Sequence, residues 1–336
     1  MEVLDILSSE ETCSKLFREI RWRDGIRCPR CGSTRLKGHG NYGEGLKRYR
    51  CKTCGRTFND KTGTPFHYSR LSLREWFTLI LLFLALHNST LSLSWLLGRS
   101  YMTTFKALKK LVLCIGGELQ PVKMSGAVEC DELYITAGLK GRNNSQRIKR
   151  LGRKPRCRGL KRRGRGTWDE DKPPIFILVE RGGDEDYLPS SDVSSDTVKK
   201  IFGRRVSKDS TVYTDAFTSY SVLDELGYRH VEVNHSAGEY VKGEAHVNGC
   251  GNRGSLFRVW FACHRGVCKD NLKGFYLVAF RVCRSSRRRD PVEALKDVLV
   301  MVIFLVLLVG VLGCFQRLGT NAEKGQPQKF YLRAFI

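Results

Sequence analysis

The chain has 336 residues, enough for more than one folded unit, and a formal net charge of +24. That balance argues against a cationic partner and for a polyanionic one. Thirteen cysteines are an odd number, which speaks against a fully paired disulfide framework. No charged leader with an apolar run and cleavage site opens the chain, so free thiols in a reducing cytoplasm are expected.

Taken in chain order, Leu4, Ile6, Leu7, Leu16, Phe17 and Ile20 mark a short amphipathic helix over about the first 20 residues. Two knuckles follow, Cys28-Pro29-Arg30-Cys31 and Cys51-Lys52-Thr53-Cys54, each trailed by a glycine that lets the backbone fold back. A single C-x-x-C would leave a buried or redox pair open. Two of them with nineteen residues between predict a tetrahedral Zn2+ site of Cys28, Cys31, Cys51 and Cys54, closed and structural. Tyr49-Arg50 reads as the end of a strand entering the second knuckle, and the ribbon spans about 22–66.

Leu71 to Leu86 is a strong apolar helix with Ser72 as a plausible N-cap. After His87–Thr90, a short apolar helix from Leu91, a turn at Gly98 and a second helix to Leu111 give helix-turn-helix patterning. In that reading Ser100, Tyr101, Thr103, Thr104 and Lys106 face a DNA groove; an ordinary helical hairpin is the alternative.

From Val122 the pattern changes to strands at Gly126–Ile135, Ile175–Val179 and Ser210–Asp215, with a helical stretch at Asp196–Phe202, an α/β layout. A basic insertion, 140–166, lies between the first two strands. From Lys140 to Arg165 it carries thirteen Lys or Arg and no acid. Its glycines and Pro155 disfavour a regular helix, and such density repels itself unless phosphates neutralise it. Arg150, Arg153, Lys154, Arg162 and Arg163 are therefore candidate DNA contacts.

Asp131 and Asp215 stand in parallel contexts at or beside the ends of apolar strands, where a carboxylate is costly without a cation or hydrogen bonds. Either one alone suits a turn. On neighbouring strands the two would suit a divalent-metal site for phosphoryl transfer on DNA.

The ribbon, the helical segment, Val128-Glu129-Cys130-Asp131-Glu132-Leu133-Tyr134, Val212-Tyr213-Thr214-Asp215, and the stretch from Val233-Asn234-His235 through Glu239 to His246-Val247-Asn248 together resemble the insertion-sequence DDE transposases with an N-terminal zinc ribbon. The resemblance covers about residues 1–296. It implies an RNase H-like mixed sheet with flanking helices, and an Asp-Asp-Glu set holding Mg2+ or Mn2+. It also implies cleavage and joining of DNA at terminal inverted repeats and target DNA, by a homo-oligomer on paired ends in the cytoplasm, associated with the nucleoid. Asp131 and Asp215 fall on the first two acids. Gly251 stands where the resemblance places the glutamate, and glycine has no ligand atom. Asn252 is a weaker neighbouring donor, and Glu239 and Glu244 lie before the helix. His235, His246 and Asn248 line the site, bind DNA or serve as structural hydrogen-bonders.

Downstream, Ser255–Trp260 and His264–Arg281 continue as helices that cover the sheet. Val298 to Phe315 is eighteen uncharged residues, at the lower limit of a membrane span. A membrane anchor, a buried or oligomerisation helix, and a frameshifted tail compete; the anchor is the less favoured. The expected organisation is helix and zinc ribbon at 1–66, helix-turn-helix-like region at 67–120, DDE core at 121–290 and apolar tail at 291–336. The expected function is that of a transposase, impaired where Gly251 replaces the third acid. A catalytically dead DNA-binding repressor and a zinc-ribbon transcription factor are the alternatives.

Overall fold

The computed structural model describes residues 2–86, 88–118, 123–139, 164–234, 237–239, 241, 243–264, 267–287 and 289–303. Most of the basic insertion (Arg150, Arg153, Lys154, Arg162 and Arg163 included), His235, and the tail from 304 onward lie outside the described residues.

The N-terminal helices are α1 (Val3–Ile6) and α2 (Glu10–Arg21). Ser9 caps α2 by accepting from the Thr12 N–H at 3.1 Å, with Glu10 and Glu11 in the first turn, where the helix dipole favours acids. A three-stranded antiparallel sheet follows, β1 (Leu36–Asn41), β2 (Lys47–Cys51) and β3 (Thr57–Asn59). Buried Asp60 joins this sheet to α2. It accepts from Lys47 N at 2.7 Å, Trp22 Nε1 at 2.8 Å and Arg18 Nε at 3.3 Å.

Helix α3 (Leu73–Leu86) starts at a reciprocal box: Ser72 N donates to Glu75 Oε2 at 2.8 Å and Glu75 N to Ser72 Oγ at 3.2 Å. Glu10 reaches across from α2 to accept from Leu73 N and Arg74 N at 2.7 and 2.8 Å. Its two oxygens thus satisfy amide donors that the helix itself leaves without partners. Then come α4 (Thr90–Leu96) and α5 (Tyr101–Glu118), joined through Gly98 at φ +61°.

The five-stranded sheet has the order β6-β5-β4-β7-β8, from β4 (Ala127–Tyr134), β5 (Pro174–Glu180), β6 (Glu185–Pro189), β7 (Thr211–Asp215) and β8 (Arg229–Val233). β4 runs antiparallel to β5 and parallel to β7, so the sheet is mixed. Both faces are covered, which explains the unbroken apolar run in β5. Phe176 and Leu178 pack with Val198 and Phe202 of α6 (Ser195–Arg205) and with Leu223 of α7 (Val222–Glu225). Ile175, Ile177 and Val179 face the larger core, shared with α3, α5, α8 (Asn248–Ala262) and α9 (Leu277–Ser286).

A last helix, α10, runs over 291–303. Val292, Leu295, Val298, Leu299 and Val302 are buried in that same core, at helical spacing. The described beginning of the apolar tail is therefore core. No helix among the described residues is long and apolar enough to cross a membrane.

Phe257 on α8 is fully buried. Phe280 meets it edge-on at 5.0 Å between ring centroids, and Phe261 stacks on it at 5.3 Å. Phe257→Ala is expected to cost about 3–5 kcal/mol, read as a lower urea midpoint with the slope unchanged.

Candidate metal centres and DNA-facing elements

The first knuckle closes as Gly32 N donates to Cys28 O at 2.9 Å, and the second as Gly55 N donates to Cys51 O at 3.0 Å. Both glycines sit at φ near +70°, a conformation glycine adopts without strain. The four Sγ atoms lie within 4.8 Å of one another, and the Cys28–Cys54 and Cys31–Cys51 contacts are both 3.6 Å. A tetrahedron with Zn–S bonds of ~2.3 Å has S–S edges of ~3.8 Å, so the donor set fits zinc. Within this crowded set the Cys54 backbone N–H leads in drawing the Cys51 thiol down, while the Cys31 thiol, despite a bond from the Ser33 backbone, is pushed up by burial and its sulfur neighbours. This is a structural zinc centre.

The second cluster forms where two strands diverge. β4 pairs with β7 only as far as Glu129↔Tyr213, yet β4 runs on to Tyr134. Asp131 and Glu132 therefore lie on a stretch of β4 with no β7 partner, beside the end of β7 at Asp215. The carboxylates of Asp131, Glu132 and Asp215 each offer an oxygen within 4.8 Å of the others. Burial, then the charges of Asp215 and Asp131, push the Glu132 carboxyl up to about 7, while its bond with Tyr220 acts the other way. Glu132 Oε1 is buried without a hydrogen-bond partner. Three crowded carboxylates and an orphaned buried oxygen suit a hard divalent cation.

Glu132 was not among the site residues expected from sequence. Strand alternation would send it to the face opposite Asp131, and only the end of β7 makes the two acids neighbours.

Gly251 is the fourth residue of α8, which starts at Asn248, earlier than a helix beginning at position 251. It is exposed, and a Cβ there would meet no atom within 4 Å. About one turn along, a Cβ at Gly254 would touch the Ile177 and Leu133 side chains, so α8 lies close on the sheet face that carries Asp131. Asn252 is exposed. Glu239 accepts from Asn234 N at 3.3 Å, and the carbonyl of exposed Glu244 accepts from Arg181. Neither acid joins the carboxylate cluster among the described residues. His246 is half-buried, with Nδ1 3.2 Å from Glu129 Oε1, and so is engaged in the fold.

At the helix pair, Ser100, Tyr101 and Lys106 are exposed and Thr103 is partly so. Thr104 departs from expectation. It is fully buried and its Oγ1 donates to Ser100 O at 3.3 Å, because at four residues past Ser100 it turns back onto the preceding turn. It cannot face a groove. Where the basic insertion re-enters the described residues, the Arg165 guanidinium lies 3.7 Å from the centre of the Phe217 ring, two residues beyond Asp215.

Residues 8–57 match a transposase zinc-ribbon domain and residues 123–277 the ISXO2-like transposase domain. An uncharacterized protein in transposable element ISH50 of Halobacterium salinarum is 39% identical over 293 residues, covering 87% of this chain and 96% of the relative. An uncharacterized transposase-like protein of Haemophilus influenzae is 42% identical over 60 residues, 18% of this chain and 48% of the relative. Similarity that spans the ribbon, the helices and the sheet alike, with both matched domains in order, means that this chain belongs to the ISXO2-like transposase family, with an N-terminal zinc ribbon.

Proposed function

We propose that this protein binds the terminal inverted repeats of a transposable element through its ribbon, helix pair and basic insertion, and that its centre for cutting and joining DNA lacks its third acid. The observation that carries this reading is the exposed, side-chain-free Gly251, with open space for a side chain, on the helix that packs against the sheet carrying the three-carboxylate cluster. Asp131 and Asp215, with Glu132, are the residues that would hold Mg2+ or Mn2+. Such an ion, when bound, polarises a phosphoryl oxygen and lowers the pKa of an attacking water.

The remaining work falls to the chain's own groups. Ser100, Tyr101, Thr103 and Lys106 contact the duplex, and the basic insertion with Arg150, Arg153, Lys154, Arg162 and Arg163 grips phosphates. Arg165, parked over Phe217, guides a strand toward Asp215. Two copies on paired ends are expected, on DNA in the cytoplasm. Glu132 and the two aspartates would be the acids that hold the ion. Without a carboxylate from α8 the set that would hold an ion lacks one acid donor, which would cost the positioning that sets the rate.

A protein that occupies ends without cutting them is the second reading, favoured by the same Gly251. The test is binding and cleavage of end DNA by the natural chain with Mg2+ or Mn2+, against Asp131→Asn and Asp215→Asn. Tight binding with cleavage no faster than in the variants supports an end-binding protein with an impaired centre. Cleavage well above the variants overturns the impairment and makes Glu132 the third ligand. Failure to prefer end DNA over unrelated DNA overturns the binding role.

A further inference from the structure

Glu129 is buried on β4, and every polar contact it makes reaches toward the segment that leads into α8. Its Oε2 accepts from Gly249 N at 2.7 Å and Cys250 N at 3.3 Å, two amides at the helix N-terminus and 120 residues away in the chain. Its Oε1 accepts from Arg181 Nε at 2.8 Å. The rest of the Arg181 fork is also engaged: Nη1 donates to Glu244 O at 2.8 Å and Nη2 to His246 O at 3.0 Å. The Arg181 guanidinium lies 4.2 Å from the centre of the Tyr213 ring on β7. One ion pair, its carboxylate buried and its guanidinium partly exposed, thus holds the backbone of 244–250 at four points.

Strand periodicity gives this arrangement a consequence. Residues 129 and 131 share a face of β4, so the carboxylate that holds the start of α8 is on the strand, and on the face, that carries Asp131. Position 251 is one residue beyond the second amide held. Gly249 matches the same constraint, because a Cβ there would come within 2.5 Å of Glu129 Oε2.

A helix cap needs only local residues. A cap donated from a distant strand adds fixed placement of the helix against that strand. We propose that Glu129 and Arg181 are positioning residues that set where position 251 stands relative to Asp131 and Asp215. The role rests on the reading of position 251 as the third-ligand site.

The test is a cycle of Mn2+ affinities, taken from the paramagnetic resonance signal of free Mn2+ on the full chain. In the Gly251→Glu chain, Glu129→Gln is expected to weaken Mn2+ binding by about tenfold or more. In the natural chain, where α8 supplies no ligand, the same substitution is expected to change it by less than about twofold. Gly249→Ala, which displaces the carboxylate sterically, should show the same contrast. A general loss of structure would instead weaken both chains alike, and that result overturns the positioning role, as does no effect in either. If Gly251→Glu itself brings no gain in Mn2+ affinity, the third-ligand reading falls, and the positioning role falls with it. Should Glu129→Gln fail to fold, Arg181→Lys serves in the same cycle, since it keeps the charge but loses the fork that holds two carbonyls.

Discussion

Replacing Gly251 with glutamate is expected to raise the rate of metal-dependent cleavage at the element's ends on the order of 100-fold or more. The space for the change exists already, because a Cβ at 251 meets nothing within 4 Å, so no repacking opposes it. The position lies in the first turn of α8, where the helix dipole favours an acid even though Glu129 already takes the Gly249 and Cys250 amides. Leaving glycine inside a helix also relieves about 0.5–1 kcal/mol of unfavourable propensity. Against this stands the charge of Asp131, Glu132 and Asp215, which a fourth carboxylate would join. Without metal the two effects oppose each other and Tm should move little. With Mn2+ in excess the repulsion becomes attraction, and stability should rise by about RT ln(1 + [Mn2+]/Kd), roughly 2.7 kcal/mol at a hundred times Kd. Melting curves with and without Mn2+ read this apart from catalysis. Adding Asp131→Asn to the Gly251→Glu chain should remove both gains. A Tm that rises equally with and without Mn2+ would mean that the new side chain acts only as a better helix former.

The parts of this molecule legible in its sequence are those in which one local pattern carries the physics. Two C-x-x-C-G knuckles fix their own turn geometry, so the zinc ligands could be named without any knowledge of the fold. Asp131 and Asp215 could be named because an acid beside an apolar strand is a local anomaly. Glu132 could not, since its place in the cluster depends on where β7 ends, a property of pairing between distant strands. Glu129 was hidden for the same reason: it reads as a polar residue in an alternating strand until the amides 120 residues away arrive. Thr104 failed in the opposite direction. Its neighbours Ser100, Tyr101 and Thr103 make a polar start to α5, but the helical turn carries Thr104 inward. The apolar tail was ambiguous because a span, a buried helix and a frameshift share one hydropathy. Only the packing of Val298, Leu299 and Val302 into the main core assigns its described beginning.

Removing zinc is expected to unfold the ribbon while leaving the five-stranded sheet folded. The ribbon's own core is small: Cys28, Cys51 and Phe58 are buried, with Trp22, Ile26, Leu36, Tyr49 and Cys54 packed partly against them. Two of its three buried residues are metal ligands, so apolar burial alone cannot offset the entropy of ordering this chain segment. Structural zinc supplies on the order of 10–16 kcal/mol to such a unit, which makes its folding conditional on the ion. The main core draws on none of these residues. Most of its buried side chains come from α2, α3, α5, α8, α9, α10 and the sheet, with Leu46 and Phe66 the ribbon's contribution. The ribbon meets that core through α2, by Asp60 held by Arg18, Trp22 and Lys47 and by Ser14 Oγ donating to Glu44 O, and through the buried side chains of Leu46 and Phe66, so loss of the ribbon should loosen α2 and its neighbours but not the sheet. Chelation, or Cys51→Ser, should therefore abolish hydrogen-exchange protection across 28–60 and partly across α2, with protection in β4 and β5 retained. One zinc per chain should be released. Binding to end DNA should weaken in step, because the basic residues of the ribbon would no longer share a fixed surface. Loss of protection in β4 and β5 at the same chelator concentration would mean that ribbon and sheet fold as one cooperative unit.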